Sequence, residues 1–523
     1  MPPLSPHLTV PVKKNRRFLF PVTVLCLAAI GLGYIWLKPE LERNIKSWIV
    51  AGVILLALLL NLLWYLFLSR VRLRTKLISV LALAAVFFGI KGMTRVDGTL
   101  SGIGFPKLVW KWSPPRGHYL DPARPAEADA PIATPNLLDV PQFFGTNRDG
   151  NYNGPRLARD WKLSPPKELW RHPIGPAWSA FAVVAGRAYT QEQHGEEEAV
   201  TCYDVLTGRL IWTHTNPAHF FQWQGGDGPR ATPTIDRGQL FCIGATGILE
   251  CLDPATGATV WSRDVLKENN LGNLTWGISG SPLVFDETVV VTGGDTKGAC
   301  LLAYRRTTGE PLWKAGADKA SYASPLLATI AGNRLILSPN AGSLTAHNPA
   351  TGEVLLDYPW PDDKRPKASQ PVVLDGNRVF LSAGYGVGCL LLEIKPAADR
   401  KLAATQLWKN MRMKTQFNSA ALRDGFFYGL DDGLLACVEV STGDRKWKDG
   451  HYGSGQTVLV NDLVLIQSEQ GPIALAEAKP DGFNELGRIP ALSSKTWNYP
   501  TLAGRYLLVR NDQEAACYEL PLE

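Results

Sequence analysis

Side chains that can bind a ligand recur in the loops just ahead of short apolar stretches between residues 178 and 498. Aromatic rings and cations that converge on one point could hold a planar anionic ligand or a peptide. For the tryptophans of this set, packing between repeats is the alternative role. The candidates are Trp178, Arg230, Trp276, Tyr322, Gln370, Asn418, Trp497 and Asn498, with Gln224, Lys367 and Lys495 in the same loops.

Sequence motifs of common catalytic sites are absent. No vicinal Cys-Cys pair and no C-x-x-C-H haem motif occur, and the histidines have no zinc-binding spacing. GYGVG (384–388) lacks the third glycine of a dinucleotide-binding motif, and GISGS (277–281) lacks the last glycine of a nucleophile elbow. We therefore assign no catalytic residue and no metal ligand.

The net charge of +6 is concentrated at the N-terminus. Residues 1–100 hold 13 Lys and Arg against 3 Asp and Glu, and the rest of the chain is slightly acidic. A basic excess confined to one terminal segment gives no basic groove in the folded part, so no nucleic-acid partner is predicted.

Three apolar runs after a basic tail (1–17) predict a membrane anchor over 18–95. The runs cover 18–37, 48–69 and 77–93. The basic tail and the basic stretch 70–76 are cytoplasmic by the positive-inside rule. Three spans place everything after residue 95 outside the cytoplasm, whereas two spans, without the short third run, leave it inside. A cleaved signal peptide is the alternative for the first run.

Residues 96–137 are rich in proline and alanine and are predicted to be an extended linker. Beyond them, one pattern returns many times: a strand ending at an acidic or amide residue, two variable residues, Thr-Gly, and a strand with a tryptophan. Glycine suits a hairpin turn that closes through a left-handed residue, and tryptophan on an outer strand can pack against the neighbouring unit. The repeat positions are Gly208, Trp212, Gly257, Trp261, Gly309, Trp313, Gly352, Trp408, Gly443 and Trp447.

Units of roughly 40–50 residues made of strands and glycine turns are typical of propeller blades. Counting strand sets over 138–523 predicts an all-β, eight-bladed propeller of four-stranded antiparallel blades. The last blade has no outer strand, and residues 167–172 resemble a blade's tail without its beginning. We expect these two pieces to pair and close the ring.

The repeats resemble those of PQQ-like β-propeller proteins, a family that includes quinoprotein alcohol dehydrogenases and the lipoprotein of the outer-membrane assembly machine. The segment 141–161 (PQFFGTNRDGNYNGPRLARDW) is similar to the opening of membrane-anchored or secreted bacterial members. With the three spans, which would contact lipid, the resemblance to bacterial proteins predicts a multi-pass protein of the inner membrane with a periplasmic propeller and an envelope protein partner. Because the sequence has no vicinal cysteines and no assignable set of a base and calcium ligands, a binding or scaffold module is favoured. The alternative is a dehydrogenase for an alcohol or sugar, for which the implied cofactor is PQQ with calcium.

The cysteines occupy repeated positions. Cys202, Cys251, Cys437 and Cys517 stand in one slot of four blades, too far apart to bridge, and are predicted to be buried thiols. Cys242 and Cys251 face each other across a predicted hairpin, which makes them the disulfide candidates, with two free thiols as the alternative.

Overall fold

The computed structural model describes residues 19–38, 41–114, 137–360 and 364–523. It has two compact units, Met1–Arg95 and Val96–Glu523. The predicted basic tail lies outside the described residues, as does most of the predicted linker.

The first unit consists of helices. They are α1 (Leu19–Trp36), α2 (Arg43–Leu63, continued by a π-helical turn Trp64–Leu68) and α3 (Leu73–Met93). All three are long and apolar enough to cross a membrane, by length and composition. The short third run belongs to α3, whose 21 residues give about 31 Å of helix, close to the thickness of a bilayer core.

The start of the predicted linker is not an extended spacer. Strands β1 (Thr94–Thr99) and β2 (Pro106–Trp110) form a two-stranded sheet there. The expectation for 96–137 is therefore wrong for its first part, because these residues find hydrogen-bond partners in each other and in the propeller. Strands β3 (Asn151–Tyr152) and β4 (Lys167–Pro173) follow.

Eight four-stranded antiparallel blades make up the rest of the second unit, and the predicted propeller fold is confirmed. The first four are β5–β8 (Ala182–Val184, Arg187–His194, Glu197–Asp204, Leu210–Asn216), β11–β14 (Thr234–Asp236, Gln239–Ile243, Ile248–Leu252, Thr259–Asp264), β15–β18 (Leu283–Phe285, Thr288–Thr292, Leu301–Arg305, Pro311–Ala315) and β19–β22 (Leu326–Ile330, Asn333–Pro339, Ser343–His347, Val354–Pro359). A two-stranded ribbon, β9 (Phe221–Gln222) and β10 (Gly226–Asp227), and a short helix α4 (Val265–Glu268) lie between them.

The other four blades complete the ring. They are β23–β26 (Val372–Leu374, Arg378–Ala383, Gly388–Pro396, Leu402–Asn410), β27–β30 (Ala421–Arg423, Phe426–Asp431, Leu434–Glu439, Arg445–Asp449), β31–β34 (Gln456–Val460, Leu463–Gln467, Ile473–Glu477, Glu485–Ile489) and β35–β37 (Thr501–Ala503, Tyr506–Arg510, Glu514–Glu519) with β4 as the outer strand. β4 pairs antiparallel with β37, so strands from both ends of the propeller share one blade and no open edge is left there.

Neighbouring blades are joined by a tryptophan that packs on a glycine. The Thr-Gly glycines have positive φ, for example +75° at Gly257 and +69° at Gly309. A Cβ on Gly257 would lie 2.6 Å from the Trp212 ring, and one on Gly309 would lie 2.7 Å from Trp261. The glycine is thus required both by its backbone conformation and by the ring of the preceding blade.

The same tryptophans donate a hydrogen bond to the next blade. Trp212 Nε1 donates to Pro254 O at 3.1 Å, and Trp261 Nε1 donates to Arg306 O at 2.9 Å. The ring-closing strand repeats the contact, since Trp170 packs on Gly208 and donates to Val205 O at 2.8 Å.

Blade seven departs from the pattern. Gly487 stands opposite Leu475, in the slot that tryptophan fills in most blades and Leu356 fills in blade four. A Cβ there would lie 2.5 Å from Trp161 Cβ, so the segment ahead of β4 supplies the missing bulk.

The disulfide expected from the hairpin spacing does not form. Cys251 pairs with Phe241 in the β12–β13 register, while Cys242 pairs with Glu250. Adjacent strand positions point to opposite faces of a sheet, so the two thiols enter different cores. All eight cysteines, Cys26 included, are free thiols.

The contact between glycine and tryptophan can be tested with two matched substitutions. Gly257 (φ +75°) lies against Trp212, whereas Gly238 (φ +73°) has nothing within 4 Å of the position a Cβ would take. Both Gly→Ala changes carry the same backbone cost of about 1 kcal/mol, and only Gly257→Ala also displaces a buried ring, which adds about 1–3 kcal/mol. We expect chemical denaturation of the full chain to show a larger loss for Gly257→Ala. Equal losses would show that backbone conformation alone explains the glycine.

Candidate functional site

All the predicted ligand-binding residues lie on one face of the ring, here called the funnel face. It is formed by the crossovers between blades and by the hairpins between the second and third strands, which contact each other through bonds such as Gln193 N to Pro176 O at 2.9 Å. The Thr-Gly turns lie on the opposite face, here called the turn face, beside the first hairpins of the blades. Val205 N, for example, donates to Gly186 O at 3.0 Å.

Three aromatic rings and one cation meet on the funnel face, from the crossovers that lead into blades one, six and eight. Trp497 has its centroid 4.9 Å from both Trp178 and Phe417. Lys495 Nζ lies 4.1 Å from the Trp497 centroid and 5.0 Å from that of Trp178. This indole cluster joins two predicted residues with Lys495 and with Phe417, which sequence reasoning missed.

Glu469, on the hairpin of blade seven, is the carboxylate of this cluster. Its Oε1 accepts from Trp497 Nε1 at 2.9 Å and its Oε2 accepts from Ser454 N at 3.0 Å. The side chain is buried, with 5% of the residue exposed. No sequence pattern marked Glu469, because its partners come from other loops that only the closed ring brings together.

Arg230, Trp276 and Tyr322 form a second group, beside blades two to four. The Trp276 and Tyr322 rings meet edge to face at 5.3 Å. Arg230 donates to three backbone oxygens: Trp276 O at 3.2 Å, Gly226 O at 2.8 Å and Gly228 O. Burial lowers the pKa of Arg230 to about 10, so the guanidinium is charged at neutral pH. The three hydrogen bonds of this guanidinium hold the crossover in place.

The predicted amide residues are buried and form hydrogen bonds within the ring. Asn498 Nδ2 donates to Ser179 O at 2.7 Å and to Ala177 O at 3.2 Å. Asn418 Nδ2 donates to Leu430 O at 3.1 Å, and Gln370 Oε1 accepts from Ser324 N at 2.9 Å. The structure does not bring these amides into the indole cluster.

The axis of the ring is filled by the segment that precedes β4. β3 adds in parallel to β31 of blade seven, and Pro141 O accepts from Ile235 N of blade two at 2.8 Å. Arg148, 2% exposed, donates to Ser281 O and Pro282 O of blade three, each at 2.8 Å. This segment therefore lies inside the ring, in contact with blades two, three and seven.

The indole cluster fits only part of a PQQ and calcium site. A cation beside two indoles suits a planar anion. Calcium takes six to eight oxygen ligands, commonly from several carboxylates and amides. In the indole cluster Glu469 supplies one carboxylate, whose oxygens already accept from Trp497 and Ser454. The described residues of this cluster do not make up a calcium donor set, and we derive no reaction through the cofactor.

Glu198, on the hairpin of blade one, is a buried carboxyl on the funnel face. Its Oε1 accepts from Ala245 N at 3.0 Å and its Oε2 accepts from Thr246 Oγ1 at 3.1 Å. Burial raises the pKa of Glu198 to about 7, despite these hydrogen bonds and the charge of Arg230. The folded protein thus binds this proton more tightly than the unfolded chain. The stability this provides is fully present below pH 4.5, and it is lost as the pH rises to about 7.

Glu198→Gln should remove this pH dependence. Relative to the wild type, we expect the variant to gain up to about 3 kcal/mol of unfolding free energy between pH 4.5 and pH 8. Chemical denaturation at the two pH values measures the change, with Glu196→Gln as the control because the Glu196 side chain is 88% exposed. A difference between Glu198→Gln and wild type that stays constant with pH would contradict the raised pKa.

About half of the chain matches a known family. The family described as "Outer membrane protein assembly factor BamB" matches residues 196–449. BamB from Shewanella oneidensis is 28% identical over 231 residues, which are 43% of this chain and 44% of that protein. The chain thus matches less than half of the length of this curated relative.

Solved structures with the same fold include a BamB protein and two dehydrogenases. BamB from Moraxella catarrhalis has a TM-score of 0.51 at 14% identity, covering 68% of this chain and 100% of that one. A europium-containing methanol dehydrogenase has 0.55 at 13%, covering 72% and 90%. The quinohemoprotein alcohol dehydrogenase of Comamonas testosteroni has 0.56 at 12%, covering 74% and 81%.

At such identities the structural likeness shows the fold alone. The BamB match and the three apolar helices are consistent with an envelope-associated protein. The tryptophan and glycine repeats, the eight blades and the match over 196–449 fit a PQQ-like β-propeller repeat protein.

Proposed function

We propose that the chain is a binding or scaffold module of the bacterial envelope, whose funnel face takes a protein partner. This proposal rests on the hydrogen bonds that the polar side chains of that face make to the protein backbone. Arg230 bonds to three carbonyl oxygens, and Asn418 and Asn498 bond to the backbone of the ring. Groups held in this way build a rigid surface and are poorly placed to exchange protons with a substrate.

Exposed apolar side chains on the same face support a protein partner. Phe221 and Trp223, on the β9–β10 ribbon, are 46% and 43% exposed. Leu100, in the turn after β1, is 58% exposed, and the neighbouring Thr99 bonds to Gln224 of that ribbon. Large aromatic residues on a rigid surface are typical anchors of protein interfaces.

For the location, we propose an inner-membrane protein with several spans and a periplasmic propeller. The basic stretch 70–76 supports this orientation, since such stretches stay in the cytoplasm. Lipid would then contact α1–α3, each of which is long and apolar enough to span.

A second candidate function is that of a PQQ-dependent dehydrogenase for an alcohol or sugar, with calcium. The feature that favours it is Lys495 beside the Trp178 and Trp497 rings, a pairing suited to a planar anion. The single carboxylate of the indole cluster disfavours it.

Site-directed photocrosslinking in cells distinguishes the two functions. A photoreactive phenylalanine analogue replaces Trp223 on the funnel face or, as the control, Arg237 on the turn face, whose side chain is 53% exposed. We expect discrete adducts with an envelope protein from position 223 and none from position 237.

In a second experiment, the full chain is purified, titrated with PQQ and Ca²⁺, and assayed for dye reduction with alcohols and sugars. We expect no saturable binding and no turnover. Turnover without adducts would overturn the scaffold proposal in favour of the dehydrogenase.

A further inference from the structure

The turn between β1 and β2 lies on the funnel and is held by two separate loops. Thr99 Oγ1 donates to Gln224 O of the β9–β10 ribbon at 2.9 Å. Gly102 N donates to Glu469 Oε1 of the blade-seven hairpin at 2.5 Å. Residues 99–104, here called the plug, therefore occupy the site that contains the indole cluster.

Gly102 is selected by the site rather than by its own backbone. A Cβ at this position would lie 2.1 Å from Ser454 Oγ and 2.8 Å from Ser454 Cβ. Ser454 cannot easily retreat, because its N donates to Glu469 Oε2 at 3.0 Å and its Oγ donates to Gln416 Oε1 at 3.0 Å. The site thus accepts a peptide turn whose residue beside Ser454 is glycine and whose N–H points at Glu469.

The side chains that shape the site are held by residues of the ring as well as by the plug. Glu469 is held by Trp497 Nε1 and Ser454 N, and Trp497 packs on Phe417 and Trp178. These contacts are all internal to the ring. Removing the plug would leave a preformed pocket with an oriented carboxylate, which favours binding because little has to be reordered.

The hairpin that carries the plug has little stability of its own. β1 and β2 form a sheet of two strands, and such a pair is marginally stable in water without further packing. The residues from Ser101 to Gly104 are half-buried, and Leu100 is mostly exposed. The hairpin's own stability is therefore low, and its contacts with the funnel hold it in place.

We propose that the funnel is a binding site for a glycine-containing peptide turn, and that the plug is an internal ligand which a partner's turn must displace. This inference rests on the proposed function as a protein-binding module and names the kind of partner segment it takes. Because a tethered segment has an effective concentration in the millimolar range, the plug excludes weak ligands and admits only a tighter or multivalent partner.

The probe for this proposal is a fluorescent cyclic peptide with the sequence of residues 97–106, titrated into the purified full chain in detergent. Gly102→Val prevents the plug from seating, and should increase probe affinity at least tenfold over wild type. Glu469→Gln added to Gly102→Val should reverse most of this gain. A probe with valine in place of its own glycine at position 102 should not bind any of these proteins.

A reversible lock provides the matched control. The Cβ expected at Gly98 lies 3.8 Å from Gly226 Cα, so cysteines at these two neighbouring positions are tested as a disulfide, whose formation is verified by mass spectrometry before the titration. The oxidised Gly98→Cys, Gly226→Cys protein should not bind the probe, and reduction of the same sample should restore wild-type binding. Because the comparison is made within one folded protein, loss of binding cannot be attributed to misfolding.

Equal probe affinity in Gly102→Val, wild type and oxidised lock would overturn the proposal, as would binding of the valine probe. This failure differs from failure of the proposed function, which would remove the adducts at position 223. Adducts that persist in the oxidised lock would leave a protein-binding module whose partner does not enter the funnel.

Discussion

The contact on which the propeller depends is that of an outer-strand tryptophan with the Thr-Gly turn of the next blade. The glycine has a positive φ and no side chain, so the ring can lie directly on the backbone, as Trp212 lies on Gly257. The indole N–H then donates to a carbonyl of that turn. Where the contact is made in this form, as between Trp212 and Gly257, a blade is fixed to its neighbour by burial of a large ring and by one directional bond. β4 repeats this contact through Trp170 and Gly208, which closes the ring.

A closed ring of eight blades leaves an axis that has to be filled. The segment before β4 fills it, with Arg148 bonded to blade three and β3 added to blade seven. A buried guanidinium is stable there because Ser281 O, Pro282 O and Gln142 accept its hydrogen bonds. The indole cluster lies on the funnel face, and the plug is bonded to the same face.

The polar groups of the funnel face are held by hydrogen bonds within the ring. Its arginine and amides bond to the backbone, and its carboxylate, Glu469, is held by Trp497 and Ser454. Such pre-oriented groups provide shape and one hydrogen-bond acceptor, which is what a peptide N–H requires. The plug supplies that N–H from Gly102, so the chain already contains an example of the ligand class that we propose.

The number of blades, their strand pattern and the pairing between tryptophan and glycine could be predicted from the sequence, because each depends on residues within one repeat or on its periodic return. Asp204, for instance, bonds to the amides of Leu206 and Thr207 in its own turn, which is a local interaction. For the candidate site, only the face of the ring on which it lies could be predicted from the sequence. Gly102 and Glu469 are 367 residues apart in the chain, and they meet because the ring brings blade seven and the β1–β2 turn to the same face. The register that separates Cys242 from Cys251 was decided in the same way, by how the strands pack into two different cores.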